Sequence, residues 1–253
     1  MNADLRQRLA RRAAIALWLG LCAAAPAAAE VRNNPGYDRP GLGFTPAVLQ
    51  AGDITIEQGA PDWNRADGAS SFTADTLLRV GAGHAMELQL GSGWNWADTT
   101  GATAHGRSDS VLGLKIAPPA QGRFSWGLLG SIEFTDGARA FRSDRRQYLL
   151  GASFNWQHDD DHSTGVYAEA LSGDIDSQLL AINEGWSLTS SLGVFVEAAA
   201  QHTRASGYGS VAGAGLSWQV TPRVQLDLGA RHRVAGRADA WQGGVGVSVY
   251  FGD

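Results

Sequence analysis

The residues from Asp239 to Phe251 alternate strictly between two faces. One face would carry Trp241, Gly243, Val245, Val247, Val249 and Phe251, and the other Gln242, Gly244, Gly246, Ser248 and Tyr250. A period of two indicates an extended strand, because successive side chains leave a strand on opposite faces. A tilted strand that crosses a hydrocarbon layer needs about ten residues, whereas a soluble strand usually has about five or six. We therefore expect the closing strand of a transmembrane barrel, to which the preceding chain adds an odd number of similar strands.

Eleven further segments precede it and give an all-β fold, a transmembrane antiparallel β-barrel of about twelve strands. They are Gly52–Gln58, Thr73–Val80, His84–Trp96, Ser108–Ile116, Arg123–Phe134, Arg146–Gln157, Gly165–Leu171, Asp176–Glu184, Ser191–His202, Tyr208–Trp218 and Arg223–Arg233. Asp176–Glu184 has the weakest pattern, because adjacent Leu179 and Leu180 leave its facing open. A β-sandwich is the competing fold.

The connections predict which end of the barrel faces which compartment. Bacterial barrels join their strands by short periplasmic turns and longer outer loops, and an even strand count leaves both termini in the periplasm. The expected turns are Gly81–Gly83, Ala117–Gly122, His158–Thr164, Trp186–Ser190 and Gln219–Pro222. The expected outer loops are Gly59–Phe72, Ala97–Arg107, Thr135–Arg145, Ser172–Asp174, Thr203–Gly207 and Val234–Ala238, of which the fourth is short.

Aromatic residues fall at the strand ends, as the interfacial girdles of a membrane protein require. The periplasmic level would hold Trp126, Trp156, Trp186, Trp218, Tyr250 and Phe251. The outer level would hold Phe72, Trp94, Trp96, Phe134, Tyr148 and Trp241. A sandwich would concentrate its aromatic residues in the core instead, so this distribution favours the barrel.

The first 29 residues have the composition of a secretory signal peptide. Four arginines among the first twelve residues precede the apolar stretch Ala13–Leu21, and Ala27-Ala28-Ala29 provides a small-residue cleavage site. Cys22, the one cysteine, would leave with this peptide, so no disulfide would support the exported protein. We expect residues 1–29 to be a signal peptide, residues 30–50 an irregular segment, and residues 51–253 a barrel in the bacterial outer membrane.

The charge composition and the glycine pattern argue against two classes of ligand, nucleic acids and dinucleotides. Acidic residues outnumber basic ones, 25 to 20, and no basic stripe is visible, so a nucleic-acid partner is not expected. The Gly81-Ala82-Gly83 turn joins two predicted strands with no helix after it, which is not a dinucleotide-binding arrangement. The sequence therefore predicts no cofactor.

The inward parity of the strands collects charged residues, which are costly inside a membrane-spanning element unless they are paired or wetted. We predict that the lumen is lined by Arg79, Glu87, Lys115, Glu133, Glu169, Glu197, Asp227 and Arg231. Two interpretations stay open: the charges neutralise one another in a narrow, packed barrel, or they line a path for solutes.

Tyr37, Asp38 and Arg39 lie in the irregular N-terminal segment, which could enter the lumen. One hypothesis is that these three residues plug or gate the barrel. The simpler alternative is that Asp38 and Arg39 only pin the segment in place.

One catalytic alternative rests on Ser210, His202 and His232, which share the outward parity near the outer rim. A serine and a histidine there could hydrolyse lipid in the outer leaflet. No carboxylate of the same parity is placed to orient the imidazole, so the three-role geometry of such a site is incomplete. We predict no catalytic residues and no enzyme.

The motif His158-Asp159-Asp160-Asp161-His162 invites a metal interpretation. Three consecutive acids lack the alternate spacing of a calcium loop. Two histidines four residues apart share a face on a helix, whereas the sequence predicts a turn here. We therefore expect a solvated acidic turn and no metal site.

Several segments resemble one known family. The first similar segment is NNPGYDRPGLGFTPAVLQAGDITIEQG, which contains the Asp38-Arg39-Pro40 motif. The second is DTLLRVGAGHAMELQLG, which contains Leu78-Arg79 and Met86-Glu87-Leu88. SVLGLKI, FSWGLLGSIEFTDG and TSSLGVFVEAAAQH extend the likeness over most of Asn33–Phe251. These segments are similar to the outer-membrane transporters named for the meta-pathway of phenol degradation. The resemblance implies a barrel that passes small hydrophobic compounds, with aromatic ones among the candidates.

The expected function is that of a monomeric outer-membrane channel or passive transporter for small molecules, which include aromatic or hydrophobic solutes. Its other partners would be outer-membrane lipid, lipopolysaccharide and the barrel-insertion machinery, which reads a terminal aromatic residue, here Phe251 before Gly252-Asp253. One alternative is a sealed structural barrel whose arginine-rich loop Ala138–Arg146 binds lipopolysaccharide. The lipid hydrolase is the other.

Overall fold

The computed structural model of the chain describes residues 34–66, 68–99 and 102–252. The predicted signal peptide, residues 1–29, lies outside them. Thirteen strands follow an irregular N-terminal stretch: β1 (Ile54–Ala66), β2 (Ala69–Gly83), β3 (Met86–Thr99), β4 (Ala102–Arg107), β5 (Val111–Ile116), β6 (Phe124–Glu133), β7 (Gln147–Gln157), β8 (His162–Ser172), β9 (Ser177–Ser187), β10 (Leu192–Thr203), β11 (Gly207–Thr221), β12 (Val224–Gly236) and β13 (Trp241–Phe251). No described helix is long and apolar enough to cross a membrane.

All neighbouring strands are antiparallel, and the sheet closes on itself. Ile54 of β1 pairs with Phe251 of β13 on one side and with Val80 of β2 on the other. Strands β4 and β5 both pair with β3, so they form one barrel strand interrupted at residues 108–110. The described chain is therefore a closed barrel of twelve strands, as the alternation predicts.

The barrel is apolar outside and polar inside. Leu150 and Leu180 on the outer face are 65% and 58% exposed, whereas Arg79, Glu87 and Lys115 on the inner face are fully buried. This arrangement suits a hydrocarbon solvent, in which a closed barrel satisfies every backbone group of its strands and leaves no edge. The exposure of Leu180 also settles the facing of β9, since Leu179 packs against the inner apolar cluster.

Two predicted outer loops are wrong, because their residues continue the strands. Within Gly59–Phe72, Asp62 still pairs with Thr73, and Ala66 pairs with Ala69. Within Ala97–Arg107, strands β3 and β4 pair up to Thr99 and Ala102. Backbone pairing beyond the membrane needs no apolar face, so polar alternation there does not end a strand.

The first periplasmic turn and one aromatic residue also differ from the prediction. The turn lies at His84 and Ala85, whose φ angles of 53° and 60° match the twisted two-residue turn of a hairpin, while Gly81 belongs to β2. Tyr250 is fully buried and donates a hydrogen bond from its hydroxyl to Asp53 Oδ2 at 2.7 Å. Tyr250 has the inward parity of Ser248, so it cannot belong to the lipid-facing girdle.

Replacing Leu228 by Arg should lower the free energy of unfolding by about 2–4 kcal/mol, because the guanidinium would lie near the bilayer midplane. Val234→Arg is the matched control on the same face of β12: near the outer end of the strand, the same change should lower it by about 0–1 kcal/mol. Denaturant titration of barrels folded into lipid vesicles measures both. Equal losses would contradict this placement of β12 in the bilayer.

Candidate functional site in the barrel lumen

The chain from Asn34 to Asp53, called here the N-terminal segment, runs through the barrel interior without forming a strand. Its prolines and glycines explain the irregular path, since proline lacks a donor for the ladder and both residue types favour turns. Three of its apolar side chains are buried: Tyr37, Phe44 and Leu49. The Phe44 ring meets the Tyr167 ring of β8 edge to face, with centroids 5.6 Å apart.

Small residues in the wall make room for this segment. A Cβ atom at Gly81 would collide with the carbonyl oxygen of Gln50, and one at Gly246 would collide with the guanidinium of Arg39. Glycine in a strand commonly marks a point where another backbone or ligand comes close. Here the approaching group is the chain's own N-terminal segment.

Asp38 is the centre of a buried ion network. Its carboxylate accepts hydrogen bonds from Lys115 Nζ at 3.0 Å, from Gln89 Nε2 at 3.0 Å and from the backbone N–H of Thr45 at 2.9 Å. Arg79 Nη1 lies 3.5 Å away. Two cations and two neutral donors thus surround the Asp38 carboxyl group, and all of them stabilise its charged form.

Arg79 links Asp38 to two wall carboxylates. Its Nη1 atom donates to Glu57 Oε1 and its Nε atom to Glu87 Oε1, both at 2.7 Å. Lys115 Nζ lies 3.2 Å from Glu87. Glu57, Arg79, Glu87 and Lys115 are all fully buried, so each charge depends on the others for compensation.

Wall carboxylates also bind the backbone of the N-terminal segment. Glu57 accepts from the N–H groups of Asp38 and Arg39 at 3.0 and 2.9 Å. Glu87 accepts from the N–H of Leu49 at 3.0 Å. Since this stretch pairs with no strand, these side chains supply acceptors that a sheet would otherwise provide.

The opposite side of the segment is held through Arg39. Its guanidinium donates to both oxygens of Asp62 at 2.7 and 2.8 Å, and its Nε atom donates to Asp227 Oδ1 at 3.3 Å. Arg231 donates to the carbonyl oxygen of Pro40 at 2.9 Å and to Glu197 at 2.6 Å. Two-point guanidinium–carboxylate contacts fix orientation as well as distance.

Six of the eight charged residues predicted to face the lumen contact the N-terminal segment: Arg79, Glu87, Lys115, Glu197, Asp227 and Arg231. The other two lie elsewhere. Glu169 accepts from the hydroxyl of Tyr167 at 2.5 Å, and Glu133 accepts from Ser143 in the third outer loop at 3.3 Å.

Sequence reasoning missed Glu57, Asp62 and Gln89. Glu57 shares the inward parity of Thr55 in β1, so the alternation of that strand contained the signal. Asp62 was hidden because its stretch was predicted to be a loop.

A cavity of about 800 Å³ lies beside the N-terminal segment. Polar side chains from the barrel wall line it together with aromatic rings, and the residues include Ser125, Ser153, Asn155, Asn183, Tyr167, Phe44 and Phe195. Its volume and mixed lining are those of a site for a small molecule.

The third outer loop, residues 134–146, folds onto the inner face of the barrel mouth. Asp109 is buried and accepts from the backbone N–H groups of Gly137 at 2.6 Å and Ser143 at 2.7 Å. A Cβ atom at Gly106 would lie 2.5 Å from the Cβ of Ala138. The loop thus narrows the outer entrance and presents a fixed backbone there.

No described hydrogen bond joins Ser210 to either histidine, although the strand register places Ser210 two residues from the partner of each. The His202 ring contacts Tyr208 and the His232 ring contacts Trp241, with centroids 4.3 and 4.4 Å apart. Ser210 pairs with Ala200 on one side and Ala235 on the other. Each histidine is therefore a partner of an interfacial aromatic ring.

His158 and His162 meet without a helix, so the prediction that a turn would keep them apart is wrong. Their ring centroids lie 4.7 Å apart, because the two residues face each other across the β7–β8 hairpin. Glu184 of β9 joins them, and one ligand atom from each residue lies within 4.8 Å of the others.

No protein-family model matches the sequence, and no curated protein matches it as a relative. Among solved structures, the chain is similar to the COG4313 outer membrane channel from Pseudomonas putida F1, with a TM-score of 0.65 at 10% identity over 81% of this chain and 97% of that chain. The KdgM porin gives 0.55 at 14% identity over 79% and 99%. The NanC porin gives 0.53 at 11% identity over 79% and 100%.

The closed sheet, the exposed apolar belt and these likenesses define the class: the protein has the fold of a bacterial outer-membrane β-barrel. The three barrels named above are an outer-membrane channel and two porins. The resemblance to the transporters named for the meta-pathway of phenol degradation stays a prediction.

Replacing Arg79 by Met should lower the free energy of unfolding by about 3–5 kcal/mol, because Glu57 and Glu87 would stay buried without their guanidinium. Arg204→Met is the control: Arg204 is exposed and lies 3.2 Å from Asp176, also exposed, so water screens that pair and stability should not change. Urea titration in detergent gives the free energy of unfolding of both variants, with heat-modifiable gel mobility as the measure of the folded fraction. Equal stability of both variants would contradict the buried network.

Proposed function

We propose that the protein is an outer-membrane channel or passive transporter for small molecules, with the N-terminal segment as its plug. The observation that carries this proposal is that a chain segment of irregular structure lies in the lumen and is held mainly by ion pairs and hydrogen bonds. Tyr37, Asp38 and Arg39 all take part in those contacts.

The chemistry of these contacts supports a removable plug. A barrel that is permanently sealed can be filled by apolar side chains from its own strands. Here the charged groups that hold Asp38 and Arg39 can exchange their hydrogen bonds for water, so the apolar cost of release falls mainly on Tyr37, Leu42, Phe44 and Leu49. The eight charged residues of the predicted lumen would then line the water-filled path.

The lining of the cavity favours a small solute with an aromatic or otherwise apolar part. Aromatic rings from Phe44, Tyr167 and Phe195 supply apolar contact, and Ser153 and Asn155 supply hydrogen bonds. The KdgM porin, which is similar in fold, has been solved in complex with disordered oligogalacturonate. By analogy with that porin we propose that this barrel passes small solutes, but we do not propose oligogalacturonate as its solute.

Deleting Arg32–Pro46 should raise single-channel conductance in a planar bilayer, because the deletion removes Asp38 and Arg39 from the lumen. Far-ultraviolet circular dichroism and heat-modifiable mobility establish that the shortened chain still forms a barrel. Asp38→Asn is the milder companion, since it removes the charge that Lys115 and Arg79 face and should increase the frequency of openings. Conductance and gating that match the unaltered chain in both variants would reject the plug.

Asn155→Trp should reduce conductance and solute uptake, because the indole would fill part of the cavity. Ala152→Trp is the matched control on the lipid face of the same strand, where the ring meets hydrocarbon and conductance should stay the same. Liposome swelling with a small aromatic solute gives the uptake rate. A fall of similar size in both variants would argue against passage through the cavity.

A second function has one specific observation in its favour. The third outer loop exposes four arginines: Arg139, Arg142, Arg145 and Arg146. Asp109 fixes the backbone of this loop by accepting hydrogen bonds from it. A fixed cluster of guanidinium groups suits the phosphates of lipopolysaccharide. Strong salt-dependent binding of lipopolysaccharide by a barrel that never conducts would favour this sealed, lipid-binding alternative over the channel.

A further inference from the structure

Three potential metal ligands converge at the periplasmic end of the barrel, on the outer face and away from the lumen. His158 lies in the turn between β7 and β8, His162 begins β8, and Glu184 belongs to β9. One ligand atom of each residue lies within 4.8 Å of the other two. Donor atoms at this spacing can share one ion after small rotations of the side chains.

Local hydrogen bonds explain why the turn brings the two histidines together. The N–H of His158 donates to the carbonyl oxygen of His162 at 2.9 Å, which closes the hairpin. The carboxylate of Asp159 accepts from the N–H of Asp161 at 2.9 Å, so the first of the three acids stabilises the turn. The side chains of the other two acids, Asp160 and Asp161, are exposed to solvent.

Strand pairing supplies the carboxylate. Thr164 of β8 lies opposite Glu184 of β9, and its hydroxyl donates to Glu184 Oε1 at 2.7 Å. The other carboxylate oxygen lies 2.8 Å from His162 Nε2. Thr164 also lies 2.7 Å from His158 Nε2 and so touches two of the three candidate ligands.

An aromatic ring orients the second histidine. The ring of His162 stacks on Trp186 with centroids 5.4 Å apart and an interplanar angle of 5°. The side chains of His162 and Glu184 are one-third exposed, at 33% and 35%, so an ion reaches them from the periplasm without any opening of the barrel.

We propose that His158, His162 and Glu184 bind a divalent first-row transition ion, Zn²⁺ in particular. Two imidazoles and one carboxylate form a ligand set that suits Zn²⁺, with a fourth position left to water. Ca²⁺ and Mg²⁺ prefer oxygen ligands and fit this set poorly. The ion would join the β7–β8 turn to β9 and stabilise the periplasmic rim, because binding to the folded barrel alone shifts the unfolding equilibrium.

The test is calorimetric titration of Zn²⁺ into the full barrel in detergent, purified without a histidine tag and treated with chelator. We expect one Zn²⁺ per chain, and visible absorption when Co²⁺ replaces it. We expect Zn²⁺ binding to weaken at least about tenfold in each of the variants His158→Ala, His162→Ala and Glu184→Gln. Thr164→Val removes the hydroxyl that contacts two of the ligands and should weaken binding by about 10–100-fold.

Two controls separate this site from other sources of binding. Asp160→Asn removes a charge from the same turn, and the double change of His202 and His232 to Ala removes histidines elsewhere; neither should alter the Zn²⁺ affinity. Heat-modifiable mobility verifies the fold of each variant. Absence of binding by the unaltered chain would overturn the proposal and leave only the hydrogen bond between His162 and Glu184. Binding that persists after His162→Ala and Glu184→Gln would overturn it as well.

Discussion

Closure of β1 against β13 is the constraint on which the rest of the structure depends. In hydrocarbon an unpaired backbone N–H or carbonyl group costs several kcal/mol, so a sheet with a free edge could not remain in the membrane. Once Ile54 pairs with both Phe251 and Val80, every described strand has two neighbours except β4, which pairs only with β3. Closure also separates the two parities of each strand, and only then do the inward charges share one enclosed space.

That enclosed space is filled by polar contacts more than by apolar packing. Asp38 and Arg39 each connect to carboxylates or cations on different strands, so the N-terminal segment ties together opposite walls of the lumen. Such a network is stable only while it is complete, because a buried charge that loses its partner is strongly unfavourable. Displacement of the segment therefore needs water to enter as the ion pairs separate, which links opening of the lumen to its hydration.

The two rims of the barrel differ in how they use irregular chain. At the outer mouth, the carboxylate of Asp109 holds the backbone of the third loop against the barrel wall. At the periplasmic rim, the short β7–β8 turn is closed by its own hydrogen bonds, and its histidines meet a carboxylate from β9. Asp109 lies in the interruption between β4 and β5, and Glu184 lies in β9, so the geometry of both rims depends on the register of the neighbouring strands.

The sequence by itself determined the barrel, its twelve strands, the inward parity of Arg79, Glu87 and Lys115, and the exposure of nine of the twelve aromatic residues predicted for the girdles. Those features follow from alternation, which is a local property of each strand. Only the tertiary structure decided that Asp38 meets Lys115, that Glu57 receives the backbone of the N-terminal segment, and that His158 and His162 approach Glu184. These contacts join residues far apart in the chain or across a turn, and they depend on closure and register, which no single strand encodes.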